Sequence, residues 1–122
     1  MSKGEHNFQM DYIEFPATDI EGTKRFYHEV FGWDFSDWGP GYTSFHDGRL
    51  AGGFNGESKP AGADGRATTG VLVVLYAAKL EDTYNKVKAA GGKIVRETFE
   101  FPGGRRFHFA DPNGNELAVW SE

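Results

Sequence analysis

The sequence predicts an α+β fold in which two βαβββ modules form a curved mixed sheet around a cleft. The hydrophobic pattern indicates a strand, a helix and three strands in about residues 7–55, and the same order again in about residues 69–121. Between them, about residues 56–68 are rich in Gly, Ala and polar residues and have no period, as in a linker. The chain of 122 residues is therefore expected to be one domain built from two modules.

The first module is predicted to begin with a strand over residues 8–15, with Pro16 at its exit. A helix follows, because Thr18 and Glu21 have the spacing of a capping box and Gly32 is a typical helix stop. Apolar residues recur at helical spacing between these ends. Three short strands are expected next, at residues 34–36, 42–46 and 50–55, the last two joined by a hairpin at Asp47-Gly48.

The second module repeats this order. A shift of sixty residues places Ile20-Glu21-Gly22-Thr23 on Leu80-Glu81-Asp82-Thr83 and Gly32 on Gly92. Its elements are predicted as a strand at residues 71–76, a helix at 79–90 and strands at 94–101, 105–110 and 116–120.

Composition and charge exclude several classes of protein. The net charge of −5 argues against a nucleic-acid partner, because phosphate binding depends on clustered Lys and Arg. No apolar run is long enough to span a bilayer and the N-terminal residues lack a signal-peptide pattern, so we expect no membrane association and a cytoplasmic location. Without cysteine, any metal site would have to consist of His and carboxylate ligands.

Several motifs resemble the vicinal oxygen chelate superfamily, which includes glyoxalases, bleomycin resistance proteins and dioxygenases. Residues 14–19 (EFPATD) and 31–33 (FGW) resemble the opening of such a module, and residues 89–95 (AAGGKIV) and 109–115 (FADPNGN) resemble parts of the second. The chain is most similar to the subgroup named "predicted lactoylglutathione lyase". The DPNGN segment, considered by itself, predicts only a hairpin turn.

The resemblance also implies where metal ligands would stand on the first and last strands of each module. Those positions correspond to Tyr12, Leu72, Ala118 and the segment of residues 52–55, which together offer no usual ligand set. We therefore expect no metal and no other cofactor. A different metal site formed by Glu14, His46 and His108 remains an alternative, although this spacing matches no metal motif.

Strand alternation indicates which side chains line the predicted cleft, if the family's ligand positions face inward. Glu14 and His108 are candidate catalytic residues, because a carboxylate between apolar neighbours and an imidazole can act as base and acid. Glu100 is a candidate because the similar subgroup has a Glu at the matching place. The expected ligand-binding residues are Tyr12, Tyr42, His46, Glu100, Arg106 and Trp120.

Two functions follow from this site. The first is metal-independent binding of a small organic molecule between aromatic side chains, as in the drug-sequestering members of the superfamily. The alternative is an enzyme, a lyase, isomerase or dioxygenase, which works either without metal through Glu14 and His108 or with a non-standard metal set. The first strand of each module would be an exposed edge, so we also expect a homodimer. The alternative is a monomer whose own two modules close the cleft side by side.

Overall fold

The computed structural model describes residues 7–8, 10–57 and 71–122. The first module consists of β1 (Tyr12–Pro16), α1 (Ile20–Phe31), β2 (Asp34–Asp37), β3 (Tyr42–His46) and β4 (Ala51–Asn55). The second consists of β5 (Val73–Tyr76), α2 (Leu80–Ala89), β6 (Lys93–Phe101), β7 (Gly104–Ala110) and β8 (Glu116–Ser121). The predicted α+β fold with two βαβββ modules is confirmed. Most of the predicted linker, residues 58–68, lies outside the described residues.

Each module forms its own four-stranded mixed sheet. The order is β1-β4-β3-β2 in sheet 1 and β5-β8-β7-β6 in sheet 2. β1 pairs in parallel with β4 and β5 in parallel with β8, whereas the other pairs are antiparallel. Consequently β1 and β5, the first strand of each module, are both edge strands of their sheets.

The ends of the first strand and helix differ from the prediction. β1 begins at Tyr12, and Phe8 stands outside it with a φ of 71° and 99% exposure. Helix α1 is capped by Asp19, whose carboxylate accepts a hydrogen bond from the Gly22 amide at 3.0 Å. The predicted cap at Thr18 was wrong. The Thr18 amide, which Glu21 would bind in a capping box, instead donates to the side chain of Asn113. The predicted stop at Gly32 is confirmed, since this residue has a φ of 74°.

The two modules share one hydrophobic core, which lies between the helices and the sheets. Phe26 and Phe31 of α1 each pack against Phe109 of β7, with ring centroids 5.9 Å apart. Tyr27, fully buried, stacks on Trp33 with a centroid distance of 4.6 Å. Helix α1 therefore belongs to the core of both modules, which fixes one sheet relative to the other.

The hairpin between β7 and β8 reaches back to the start of α1. The Asn113 side-chain oxygen accepts hydrogen bonds from the backbone amides of Thr18 at 2.7 Å and Asp19 at 3.2 Å. Asp111, which is also buried, accepts a hydrogen bond from the Tyr27 hydroxyl at 2.9 Å. The hairpin was correctly predicted as a turn, but it also ties the second module to two otherwise unpaired amides of the first.

Burial also affects the ionisation of this turn. It raises the pKa of the Asp111 carboxyl, while hydrogen bonds from Asn115, Tyr27 and Asn113 oppose the shift. The same burial, together with the nearby Asp111 carboxylate, raises the pKa of the Tyr27 phenol. The two side chains thus form a polar contact that depends on being closed off from water.

Neither α1 nor α2, the helices of the described residues, is long and apolar enough to cross a membrane.

Replacing Asn113 by Ala should destabilise the whole domain, because the Thr18 and Asp19 amides lose their acceptor at a site with little water. We expect the free energy of unfolding to fall by about 2 kcal/mol, measured by urea denaturation. Asn85→Ala, on the exposed face of α2, is the matched control and should change it by less than about 0.5 kcal/mol. Equal losses in the two variants would contradict the assigned role of the hairpin.

Candidate functional site

Each sheet has one face against the core and one that points away from it, which we call the open face. In sheet 1 the core face carries Phe15, Phe45 and Phe54. Strand pairing places Glu14 beside Gly53 and Gly53 beside Ser44, and Asn55 beside Tyr42, so that these residues share the open face. The structure therefore brings the predicted residues Tyr12, Glu14 and Tyr42 to one surface.

Three of these side chains form a hydrogen-bonded group, the phenol–carboxylate cluster of Tyr12, Tyr42 and Glu14. The two phenol oxygens lie 2.6 Å apart, and the Tyr42 hydroxyl donates to the Glu14 carboxylate at 2.9 Å. The Asn55 side-chain amide donates to the other carboxylate oxygen at 3.4 Å. Because Tyr42 uses its only proton on Glu14, Tyr12 must donate to Tyr42, which leaves the Tyr12 oxygen free to accept a hydrogen bond.

The cluster also changes the ionisation of Tyr42. Burial raises the pKa of the Tyr42 phenol above its ordinary range, and the hydrogen bonds with Tyr12 and Glu14 raise it further. Tyr42 therefore stays protonated and remains a donor to Glu14 at any physiological pH.

A glycine makes room for this cluster. A Cβ atom on Gly53 would collide with the hydroxyl groups of both Tyr42 and Tyr12. Gly53 lies in the segment of residues 52–55, where the family resemblance places a metal ligand. Two phenol groups occupy the space that a ligand side chain at Gly53 would need.

The open face of sheet 2 has a different character. His108, Ala118 and Val74 lie side by side in one row across the strands. His108 is 6% exposed, and its Nδ1 contacts a Glu116 carboxylate oxygen at 2.7 Å. Its other ring nitrogen, Nε2, is buried and has no partner among the described residues. Glu116 thus orients an imidazole whose second nitrogen is unpaired within the described structure.

Aromatic rings surround the next row of this face, in which Arg106 and Trp120 are paired. The Arg106 guanidinium lies 5.2 Å from the Phe99 ring centroid and 5.4 Å from that of Phe101. Trp120 packs edge-on against Phe101 and Tyr76, with centroid distances of 6.2 and 5.2 Å. The predicted residues Arg106, His108 and Trp120 are therefore brought together on sheet 2.

Two predicted site residues do not contact these groups of side chains. Glu100 pairs across the strands with Arg105, which binds Glu81 of α2, so Glu100 lies on the helix side of sheet 2. His46 is on the open face of sheet 1, but it is exposed at the β3–β4 hairpin, where its Nδ1 accepts a hydrogen bond from the Gly48 amide at 3.0 Å.

The side chains at the family's metal-ligand positions lack suitable donors. Gly53 and Leu72 have none, Ala118 is fully buried and has none, and the Tyr12 phenol belongs to the cluster. Within residues 7–8, 10–57 and 71–122, no group of three or more His, Asp or Glu side chains is placed to hold a metal ion. Glu14, His46 and His108 accordingly do not meet in the described structure.

A cavity of about 1050 Å³ is bordered by both edge strands. Tyr12 of β1 and Val74 of β5, both on the open faces, line it together with Trp33 and Phe45 of the core. One residue from the open face of each sheet therefore borders the same cavity. The cavity itself lies at the end of the strands, and of the predicted site residues only Tyr12 and His46 line it.

Three contributors to these surfaces were not predicted from the sequence. Trp38, which is 71% exposed, donates from its indole nitrogen to the Ser44 hydroxyl at 2.9 Å and so extends the open face of sheet 1. Its position directly before Gly39-Pro40-Gly41, a turn sequence, could have indicated an exposed aromatic residue. Arg96 and Phe99 could not have been predicted, because their orientation depends on the register shifts of β6. Glu116 shares the strand parity of Ala118 and Trp120, which places it on the cleft face from the sequence alone, although its contact with His108 was not predicted.

Comparison with known proteins agrees with this fold. The model of the Glyoxalase/Bleomycin resistance protein/Dioxygenase superfamily matches residues 9–119. The comparison with curated protein sequences gives no match.

Similar solved structures include three named bacterial proteins. A glyoxalase-related enzyme from Fulvimarina pelagi has a TM-score of 0.75 at 21% identity, covering 94% of this chain and 88% of its own. A variant of the fosfomycin resistance protein FosX from Listeria monocytogenes was solved in complex with Mn(II) and 1S,2S-dihydroxypropylphosphonic acid. Its TM-score is 0.75 at 16% identity, covering 93% of this chain and 90% of its own. A lactoylglutathione lyase from Agrobacterium tumefaciens has a TM-score of 0.70 at 22% identity, covering 93% of each chain. At these low sequence identities, the similarity shows a shared fold and nothing about activity or ligands.

Replacing Glu14 by Gln should lower the pKa of Tyr42 toward the ordinary range, because the phenolate would no longer face a carboxylate charge. The measurement is carbon-13 NMR of the tyrosine ring carbons as a function of pH, with Glu29→Gln on the exposed face of α1 as control. A Tyr42 titration unchanged by Glu14→Gln would show that the cluster does not form.

Proposed function

Because the chain belongs to the Glyoxalase/Bleomycin resistance protein/Dioxygenase superfamily, we propose that it binds a small organic molecule on the open faces of its two sheets, without a metal. The observation that carries this proposal is the phenol–carboxylate cluster of Tyr12, Tyr42 and Glu14. It fills the place of a metal-ligand position with ordered polar groups. Such groups fix the orientation of a ligand, while the surrounding aromatic rings supply apolar contact.

Exposed aromatic side chains support a binding role. Tyr12 is 45%, Trp38 71% and Tyr76 53% exposed, all on the open faces or their rim. Each ring that a ligand covers would lose water-accessible apolar surface, which contributes about 25 cal/mol per Å². Flat ligands gain most from such rings, because aromatic faces and edges pack with defined geometry.

Metal independence is part of the proposal because of the chemistry of the side chains. A divalent ion needs several lone-pair donors that converge on it, and Gly53, Leu72 and Ala118 have none. The Tyr12 oxygen is held 2.6 Å from that of Tyr42, and the Glu14 carboxylate already accepts two hydrogen bonds. Coordination of a metal would require the cluster to be dismantled.

The second candidate function is metal-free acid–base catalysis. The observation that favours it is His108, whose Nδ1 is held by Glu116 and whose Nε2 has no partner among the described residues. An imidazole oriented in this way can transfer protons, and Glu14 on the neighbouring sheet offers a carboxylate. Turnover that is lost in both His108→Gln and Glu14→Gln, while ligand binding persists, would support this function over simple binding.

Native mass spectrometry tests the binding proposal. Protein purified without chelator should carry an organic molecule and no stoichiometric Zn, Ni, Fe or Mn. Tyr42→Phe, which breaks the cluster, should weaken binding of the retained molecule about tenfold, the effect of losing roughly one hydrogen bond. Tyr84→Phe, which removes a comparable phenol–carboxylate contact with Glu97 outside the open faces, is the control. Metal at one equivalent that survives dialysis would contradict the metal-free proposal.

The homodimer also remains a proposal. Both edge strands carry exposed apolar side chains, among them Tyr12 of β1 and Val74 and Tyr76 of β5. Covering such edges in a second copy would satisfy their unpaired backbone groups, and a stable contact buries about 1,200 Å² or more in total. The net charge of −5 per chain opposes this weakly, because salt screens it.

Sedimentation equilibrium at tens of micromolar protein should therefore give twice the chain mass of 13.5 kDa. Val74→Lys, which places a charge on the β5 edge, should shift the equilibrium toward the monomer, whereas Val95→Lys on β6 should not. A single species of 13.5 kDa in the unmodified protein would refute the dimer.

A further inference from the structure

We propose that Arg96 and Arg106 on the open face of sheet 2 form an anion-binding site, and that the ligand is a flat organic acid. This inference rests on the proposed function and specifies the chemical class of its ligand. The two guanidinium groups would bind the carboxylate of the acid, and the aromatic rings around them would contact its apolar part.

Both guanidinium groups lie near one phenylalanine ring. The guanidinium carbon of Arg96 is 3.6 Å from the Phe99 ring centroid, and that of Arg106 is 5.2 Å from the same centroid. Both cations therefore lie beside the same aromatic ring on the open face. Two like charges near one ring raise the local positive potential, which favours an anion beside them.

Neither cation is neutralised within the described part of the chain. The ion pairs there involve Lys24 with Glu21 and Asp37, Arg105 with Glu81, and His108 with Glu116, but neither Arg96 nor Arg106. The Nε atom of Arg106 is moreover buried without a hydrogen-bond partner. A buried charged donor that lacks a partner is costly, and a bound carboxylate would satisfy it.

The backbone of β6 is shaped to bring these residues together. In a regular strand Ile94 and Arg96 would share a face, and Arg96 and Phe99 would point to opposite faces. The pairing of β6 with β7 shifts register between Ile94 and Arg96 and again between Arg96 and Phe99. As a result Ile94 packs in the core, while Arg96 and Phe99 both lie on the open face. Bulges of this kind often redirect side chains at functional sites.

The neighbours of the two arginines indicate what kind of anion fits. His108 lies 5.9 Å from Phe99 in ring-centroid distance, and its buried Nε2 has no hydrogen-bond partner among the described residues. Phe101 and Trp120 continue the apolar wall beside Arg106. A guanidinium binds a carboxylate through two parallel hydrogen bonds, and a flat ring attached to that carboxylate would pack on Phe101 and Trp120.

The experiment compares a flat acid with its neutral counterpart. Protein labelled with nitrogen-15 is titrated with 2-naphthoate and, separately, with 2-naphthamide, and the signals of the arginine Nε–H groups and the Trp120 indole are followed by NMR. We expect 2-naphthoate to bind at least about tenfold more tightly, since hydrogen bonds to charged groups are stronger than those to neutral ones. Equal affinities, or no binding of either compound at millimolar concentration, would overturn the inference.

Adjacent residues on β7 provide a matched control. Arg96→Gln and Arg106→Gln should each weaken 2-naphthoate binding about tenfold and leave 2-naphthamide binding unchanged. Arg105→Gln, which faces the helix side and binds Glu81, should affect neither compound. Arg96 is exposed, so that its replacement tests the site even where Arg106→Gln perturbs folding. A loss of 2-naphthoate binding as large in Arg105→Gln as in Arg96→Gln would refute the site.

The outcomes separate this inference from the proposed function. Equal binding of acid and amide at Trp120 would leave a small-molecule site in place but show that it does not select anions. A missing or purely metallic adduct in native mass spectrometry would refute the proposed function on its own.

Discussion

The attachment of the β7–β8 hairpin to helix α1 is the constraint on which the rest of the structure depends. Asn113 accepts hydrogen bonds from the backbone amides of Thr18 and Asp19. Asp111 accepts one from the hydroxyl of Tyr27, a residue in the middle of the shared core. These contacts join residues more than eighty positions apart in the chain. They hold one sheet against the other while both open faces remain clear of the core, which is the condition for a site that spans two modules.

On this framework the two modules carry different chemistry at related places. In sheet 1, the absence of a side chain at Gly53 admits two phenol groups, and their proton arrangement presents the Tyr12 oxygen as an acceptor. In sheet 2, irregular pairing of β6 presents guanidinium groups and aromatic rings. A ligand bound across both faces would combine a hydrogen-bond donor at one end with a negative charge at the other. The internal repeat thus supplies one scaffold with two unlike walls.

Local rules predicted many of the strands and the side chains that share a face from the sequence. Strand β3 has the predicted bounds of Tyr42–His46, and alternation of side chains along strands correctly grouped Tyr12 with Glu14 and Arg106 with His108. Contacts between distant parts of the chain were not predictable in this way. The DPNGN turn indicates its own hairpin, whereas its binding to α1 depends on how the modules pack. Glu100 was placed by resemblance, and its register opposite Arg105 directs it to the helix side.

Fluorine-19 NMR of protein labelled with 5-fluorotryptophan tests most directly whether the open faces hold the ligand. The three tryptophans mark three places: Trp38 extends the open face of sheet 1, Trp120 lies on that of sheet 2, and Trp33 lies in the core beside the cavity at the strand ends. Titration with 2-naphthoate or 2-naphthamide should shift the Trp38 and Trp120 signals and leave that of Trp33 unchanged. A shift of the Trp33 signal alone would place the ligand in the cavity and contradict a site on the open faces.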